Sequence, residues 1–185
     1  GTDQVVALTT ADAAVLSSTQ ATVLTSAQLA AMETADFAAL GTGAVRALST
    51  DAITGLASAQ IAVLSTAQVI AMVTAQITAL STEDIAALTS ADAAVLTSAQ
   101  AAVLTSDQFS AMSTLDVSVL STADVRALST AAIAGMTTDQ VSALSTTQIA
   151  ALGTNQSSVL NTNDIVALNS AQIGALNTAQ VGSFT

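Results

Sequence analysis

Counted from Gly1, every eighth residue is Leu, Met or Phe, from Leu8 to Phe184, without a single insertion or deletion. The chain is therefore 23 consecutive octads followed by Thr185. Typical octads read STAQVIAM (65–72), STTQIAAL (145–152) and NTNDIVAL (161–168). Position two is Ser or Thr in all 23, position four is Gln thirteen times, Asp seven times and Ala three times, and position five is usually Ile or Val. An eight-residue unit cannot bury its own apolar side chains. Whatever fold it adopts must bury them between copies, which is the logic of a solenoid.

Positions five and eight are three apart, as on one face of a helix. One continuous helix is excluded, because eight residues at 100° each leave the apolar stripe drifting by about 80° per octad. The Ser/Thr step must interrupt the helix each time. A hydroxyl, Asn or Gly at position one followed by Gln or Asp at position four has the form of a capping box. A cap at position two would place the acid or amide in the first turn, also a favourable site, and the pattern leaves both registers open. Either way, Gln and Asp are expected to be interchangeable as acceptors.

The expected architecture is an all-α repeat, a solenoid of very short helices, one of five to seven residues per octad, across a single array spanning 1–184. Isolated helices become marginal only at about 12–15 residues, so each must lean on its neighbours. The alternative is a β-solenoid, in which positions five and seven both point inward and Thr, Val and Ile suit the strands. The many Ala, Leu and Gln residues favour the helix, and eight glycines are few for a chain turning so often in β geometry. Where position five shrinks (Ala13, Ala21, Ala93, Ala101, Ser157), position seven is Val (Val15, Val23, Val95, Val103, Val159). This pairing predicts that volume lost at one core site returns at the other. Residues 9–32 also reappear, with seven differences, as 89–112, and Gly55 and Gly135, like Arg46 and Arg126, stand at the same spacing of 80 residues.

Composition narrows function further. The chain has no His, Cys, Pro, Trp or Tyr, and its only cations are Arg46 and Arg126, against thirteen acids, for a net charge of −11. A basic footprint for nucleic acid is missing. So are the preferred ligands of transition metals and the usual bases that activate a hydroxyl nucleophile. Mean hydropathy is +0.66, yet the longest purely apolar run, Val69 to Val73, is far short of a membrane span. The start, GTDQVVAL, has neither the basic nor the apolar region of a signal peptide.

Each remaining candidate site has a structural explanation. Asp12, Asp36, Asp84, Asp92, Asp116, Asp124 and Asp164 could form a calcium ladder, but at position four they read as helix caps, and no D-x-D-x-D-G loop is present. Glu83 and Asp84 form one charged corner rather than a catalytic pair across a cleft. The arginines, at position six, read as solvated or salt-bridged, and the four methionines as core. The regular hydroxyl ladder could present a flat binding surface, of the kind ice-binding solenoids use, or cap helices. No catalytic, cofactor-binding or metal site is assigned, and no cofactor is expected.

The unit L-S/T-x-x-Q/D-I-x-A-L resembles octapeptide arrays of the L-T-x-x-Q-I-A-A-L kind in large secreted and surface proteins of bacteria, adhesin-like ones among them. The resemblance covers the whole chain. It implies a non-enzymatic stalk or spacer of an exported protein, extracellular or at the cell surface. The partners expected are neighbouring repeats or other copies meeting through the ends of the stack.

Overall fold

The computed structural model describes residues 1–184. It is all-helical, with no strand among the described residues, and carries one helix of four to six residues in each octad, from Thr2–Val6 to Thr178–Val181. The helices are thus slightly shorter than the sequence pattern predicts. The chain divides into two compact units, Gly1–Val95 and Leu96–Thr185.

The two units follow the same rule. Each helix packs against the helix three octads further on: Thr2–Val6 against Ser26–Ala31 and Thr50–Ile53 against Thr74–Ala79 in the first unit, Ser98–Ala101 against Thr122–Ala127 and Thr122–Ala127 against Thr146–Ala151 in the second. One coil is therefore three octads, and each unit is an α-solenoid with three helical sides.

Position one is the N-cap throughout, which settles the register that the pattern leaves open. In most octads its hydroxyl or amide oxygen accepts from the position-four N–H, while the position-four side chain accepts from the position-one N–H. Ala57, Val73 and Gly153 have no capping group, and there only the Gln half of the exchange is made. Most helices tighten at their end, the position-eight N–H donating to the position-five carbonyl, as Leu48 does to Val45 at 3.3 Å. The corner then needs only two extended residues, such as Leu40 at φ −57°, ψ 134° and Gly41 at φ −64°, ψ 150°. No described residue has positive φ. The scarcity of glycine follows directly, since no corner enters the region only glycine tolerates.

The core is built from three columns, not two. Taking position four as origin, position eight lies about 40° and position five about 100° around the helix, so the three share one arc. Positions five and eight are buried through the interior of each unit, among them Phe37, Ile53, Ile77, Phe109 and Ile149 and all four methionines. Position four is buried beside them from Asp36 onward wherever it is Gln or Asp. Position seven sits about 200° from position five and faces away. Val15 and Val23 are 78% and 75% exposed, and Val95, Val103 and Val159 are half-buried. The expected return of core volume from position five to position seven therefore does not occur. Position seven is buried only at Ala151.

The columns also differ in direction. In the first coil, position five is already buried at Val5, Ala13 and Ala21, whereas Gln4, Asp12 and Gln20 are exposed. In the last coil the order reverses: Gln172 and Gln180 are buried, while Ile173 and Val181 are 51% and 53% exposed. Position four thus faces the preceding coil and position five the following one.

Candidate functional site

A helix of four to six residues satisfies few of its own backbone groups, and its last carbonyls have no intrahelical donor. The position-four glutamines supply one from the next coil. In the first unit, Gln60 Nε2 donates to the carbonyls of Leu29 and Met32 at 2.7 and 2.9 Å. Gln76 Nε2 donates to Val45 and Leu48, both at 2.8 Å. In the second unit, Gln140, Gln148, Gln156, Gln172 and Gln180 repeat the arrangement at the same offsets, as Gln148 does to Val117 and Leu120 at 2.9 Å. The same side chains accept from their own N-cap N–H, Ser145 to Gln148 Oε1 at 2.7 Å for example. One amide therefore caps the start of its own helix and the end of a helix four octads earlier.

Aspartate cannot do this, because an ionised carboxylate has no proton to give. Asp84 Oδ2 accepts from the Ser81 N–H and hydroxyl at 3.1 and 2.7 Å, and its Oδ1 accepts from Ser58 Oγ of the previous coil at 3.3 Å. Asp124 pairs in the same way with Ser98 Oγ at 2.8 Å. Gln and Asp are thus equivalent only toward their own helix. Toward the neighbouring coil one is a donor to backbone and the other an acceptor from a serine. Sequence reasoning misses this second role, although a signal exists: position four holds thirteen glutamines and no glutamate. A capping box accepts either, so the exclusion of glutamate points to a needed N–H.

The candidate calcium ladder is placed accordingly. Asp84, Asp92, Asp116, Asp124 and Asp164 are buried caps, Asp12 is an exposed one, and Asp36 is buried in a helix whose N-cap, Glu33, makes no side-chain cap hydrogen bond. Among the described residues no three acidic side chains come together as a metal site would need. The Thr9 hydroxyl and backbone N–H hold the Asp12 carboxyl below the usual aspartate range. Glu83 is likewise held down, by its own backbone N–H and by the Thr82 hydroxyl. Glu83 is exposed and Asp84 buried, so the two do not face each other across a cleft.

The position-one hydroxyls are occupied with caps. Most position-two hydroxyls are exposed, among them Thr34, Thr42, Thr122 and Thr146. Arg46 is exposed, and Arg126 donates through Nε to the Ala151 carbonyl at 3.3 Å. Beside it lies a shallow depression of about 280 Å³, lined by Arg126, Leu128, Gly153, Thr154, Asn155 and Gln156. The Gln156 amide there is already committed to Val125, Leu128 and the Gly153 N–H. No helix is long and apolar enough to cross a membrane among the described residues.

The most developed polar arrangement in this protein thus joins coil to coil. No curated protein matches the chain. A family model described as the ALTTAQ repeat matches four segments, residues 29–66, 79–114, 117–154 and 158–185, together most of its length. The chain is a tandem repeat array and belongs to the ALTTAQ repeat family.

Proposed function

We propose that this protein is a structural repeat module, an extended stalk or spacer of an exported bacterial surface protein, and that it carries out no catalysis. The observation that supports this reading is the glutamine column. Its buried amides are consumed on both sides by the scaffold, Gln76 by Val73 below its own helix and by Val45 and Leu48 in the coil before. Position six, mostly exposed and varying among Ala, Thr, Ser, Arg, Val, Ile and Gly, behaves as an outer face under no requirement to match a ligand.

Length is the property to test. Fluorescent labels placed near both ends should separate or approach by one constant step when three octads are added or removed inside one unit. A distance that does not follow octad number would end the spacer reading. Export is tested separately, by asking whether antibodies against this array label intact producing cells. Labelling only after permeabilisation would refute the surface location.

A second reading, a regular Ser/Thr-rich surface for ice or for adhesion, has one observation in its favour. Exposed position-two threonines recur at one-coil spacing on a side, as Thr122 and Thr146 do. Thermal hysteresis that disappears when this column is replaced by bulkier residues would favour that reading over the spacer.

A further inference from the structure

Glutamine joins the coils unevenly along the chain. Where position four is alanine, three hydrogen bonds are missing at once. Ser49 and Ser129 still cap the Ala52 and Ala132 N–H groups, at 3.1 and 3.0 Å. The methyl group returns nothing to the serine N–H and donates nothing to the coil before. Octad 41–48, which carries Ala44, is held from its other side, by Gln76 on the Val45 and Leu48 carbonyls. Octads 49–56 and 129–136 are not. The residues that would reach the Leu56 and Met136 carbonyls by the same 28-residue offset are Asp84 and Asp164, and an ionised carboxylate has no N–H. Asp84 accepts from Ser58 Oγ instead, and Asp164 from the Asn161 N–H at 3.0 Å. Close packing stands where the amides are missing: Gly55 lies against the Ser26 backbone and Gly135 against the Ser106 side chain. Ser26 and Ser106 also stand 26 residues before Ala52 and Ala132. Threonine holds that place before every coil-joining glutamine described above, as Thr34 does before Gln60, Thr50 before Gln76 and Thr122 before Gln148. The amide-free joint is thus a matched set of Ser, Ala and Gly, made once in each unit.

We propose that octads 49–56 and 129–136 are yield points, one in each unit, where the stack parts first while the amide-joined octads beside them stay closed. Their core side chains are as buried as any, Ile53 and Ile133 fully, so they close as ordinary octads do. They open more easily because the bonds that tie a helix end to the next coil are absent on both of their faces. Partial opening of a folded chain follows its weakest set of contacts. In a stalk under tension these octads would release length before the rest. That consequence rests on the spacer reading, whereas the order of opening does not.

Native-state hydrogen exchange of the intact chain reads that order. The probes are alike, because each is a position-eight N–H donating to its position-five carbonyl: Leu56 to Ile53 and Leu64 to Ile61 at 3.0 Å, Met136 to Ile133 and Leu144 to Val141 at 3.2 Å. Leu64 and Leu144 belong to octads anchored by Gln60 and Gln140. Corrected for intrinsic rates, Leu56 and Met136 should exchange roughly a hundredfold faster than these two, from three absent hydrogen bonds. The decisive variant is Asp164→Gln. It keeps an acceptor for the Asn161 N–H, follows Thr138 at the spacing where glutamine occurs, and brings Nε2 to the Ile133 and Met136 carbonyls. Met136 exchange should then slow by roughly tenfold, with Leu56 unchanged. Asp164→Asn also removes the charge but is one carbon too short to reach, so it should leave Met136 as fast as before. Leu56 and Met136 protected as well as Leu64 and Leu144 overturns the proposal, and so does an Asp164→Gln chain in which Met136 slows no more than with Asn. Neither result touches the spacer reading, which rests on the dependence of length on octad number.

Discussion

Gln76 Nε2 lies 2.8 Å from the carbonyl oxygen of Leu48, and Gln76 Oε1 lies 2.9 Å from the backbone N of Val73. A single planar amide thereby fixes the distance between two helices in successive coils. Its two ends are not exchangeable, and that difference can be measured.

Replacing Gln76 by Glu preserves the acceptor for Val73 but sets a carboxylate against the Val45 and Leu48 carbonyls. At neutral pH this should cost about 3 kcal/mol, from lost bonds and a buried charge with no partner. Burial and the facing carbonyls raise the pKa of the introduced acid above its unfolded value of about 4.3. The folded state then binds a proton more tightly than the unfolded one, so stability should recover as pH falls through the raised value. Urea denaturation at neutral and mildly acidic pH checks this. A cost independent of pH would mean that the amide acts only by filling space.

Gly55 and Gly135 occupy equivalent places yet differ in what surrounds them. A Cβ on Gly55 would run into the backbone carbonyl of Ser26, whereas on Gly135 its first neighbour would be the Ser106 Oγ at 2.7 Å. A hydroxyl can rotate and a backbone cannot. Gly55→Ala should cost about 2–3 kcal/mol by overpacking, and Gly135→Ala less than about 1 kcal/mol. Equal shifts in denaturation midpoint would disprove the close approach at Gly55.

Ser157 takes the place of Ile or Val in the core column, is fully buried, and its Oγ has no hydrogen-bond partner. Removing an unsatisfied buried hydroxyl should help, so Ser157→Ala should stabilise the chain by about 1 kcal/mol. Thermal unfolding measures it, and a lowered midpoint would show that the hydroxyl is satisfied in solution.

Asp12 should titrate below the ordinary aspartate value of about 3.9, because both Thr9 hydrogen bonds favour the ionised form. The stabilising contribution of this cap is complete above the ordinary value and is lost as pH falls through the lowered one. Carboxyl-carbon NMR follows the group directly. Thr9→Val removes the hydroxyl and keeps the backbone N–H, so it should move the titration part of the way back. An unchanged titration would assign the shift to other groups.

Much of this fold is legible in the residues. The spacing of Ile85 and Leu88 marks a helical face, and Ser81 with Asp84 marks its start, because both patterns arise within one octad. The choice of Ser81 over Thr82 as cap was open, since either can accept from the first turn. The burial of Gln76 was hidden for another reason. Its partners Val45 and Leu48 lie four octads earlier, more than a whole coil away, and nothing inside an octad states how many octads make one. The valines at positions such as Val95 misled for the opposite reason: they vary together with Ala93, yet two residues of helix turn them to opposite sides.

Because each helix finds its partners by counting octads, not by recognising particular sequences, whole octads can enter or leave the array without altering its cross-section. A change of any other size would rotate the glutamine column out of the interior for the remainder of a unit. Variation in total length is therefore confined to steps of one repeat, and within those steps the scaffold is neutral to it. Recombination between similar repeats can therefore change the number of octads with no new contact having to evolve.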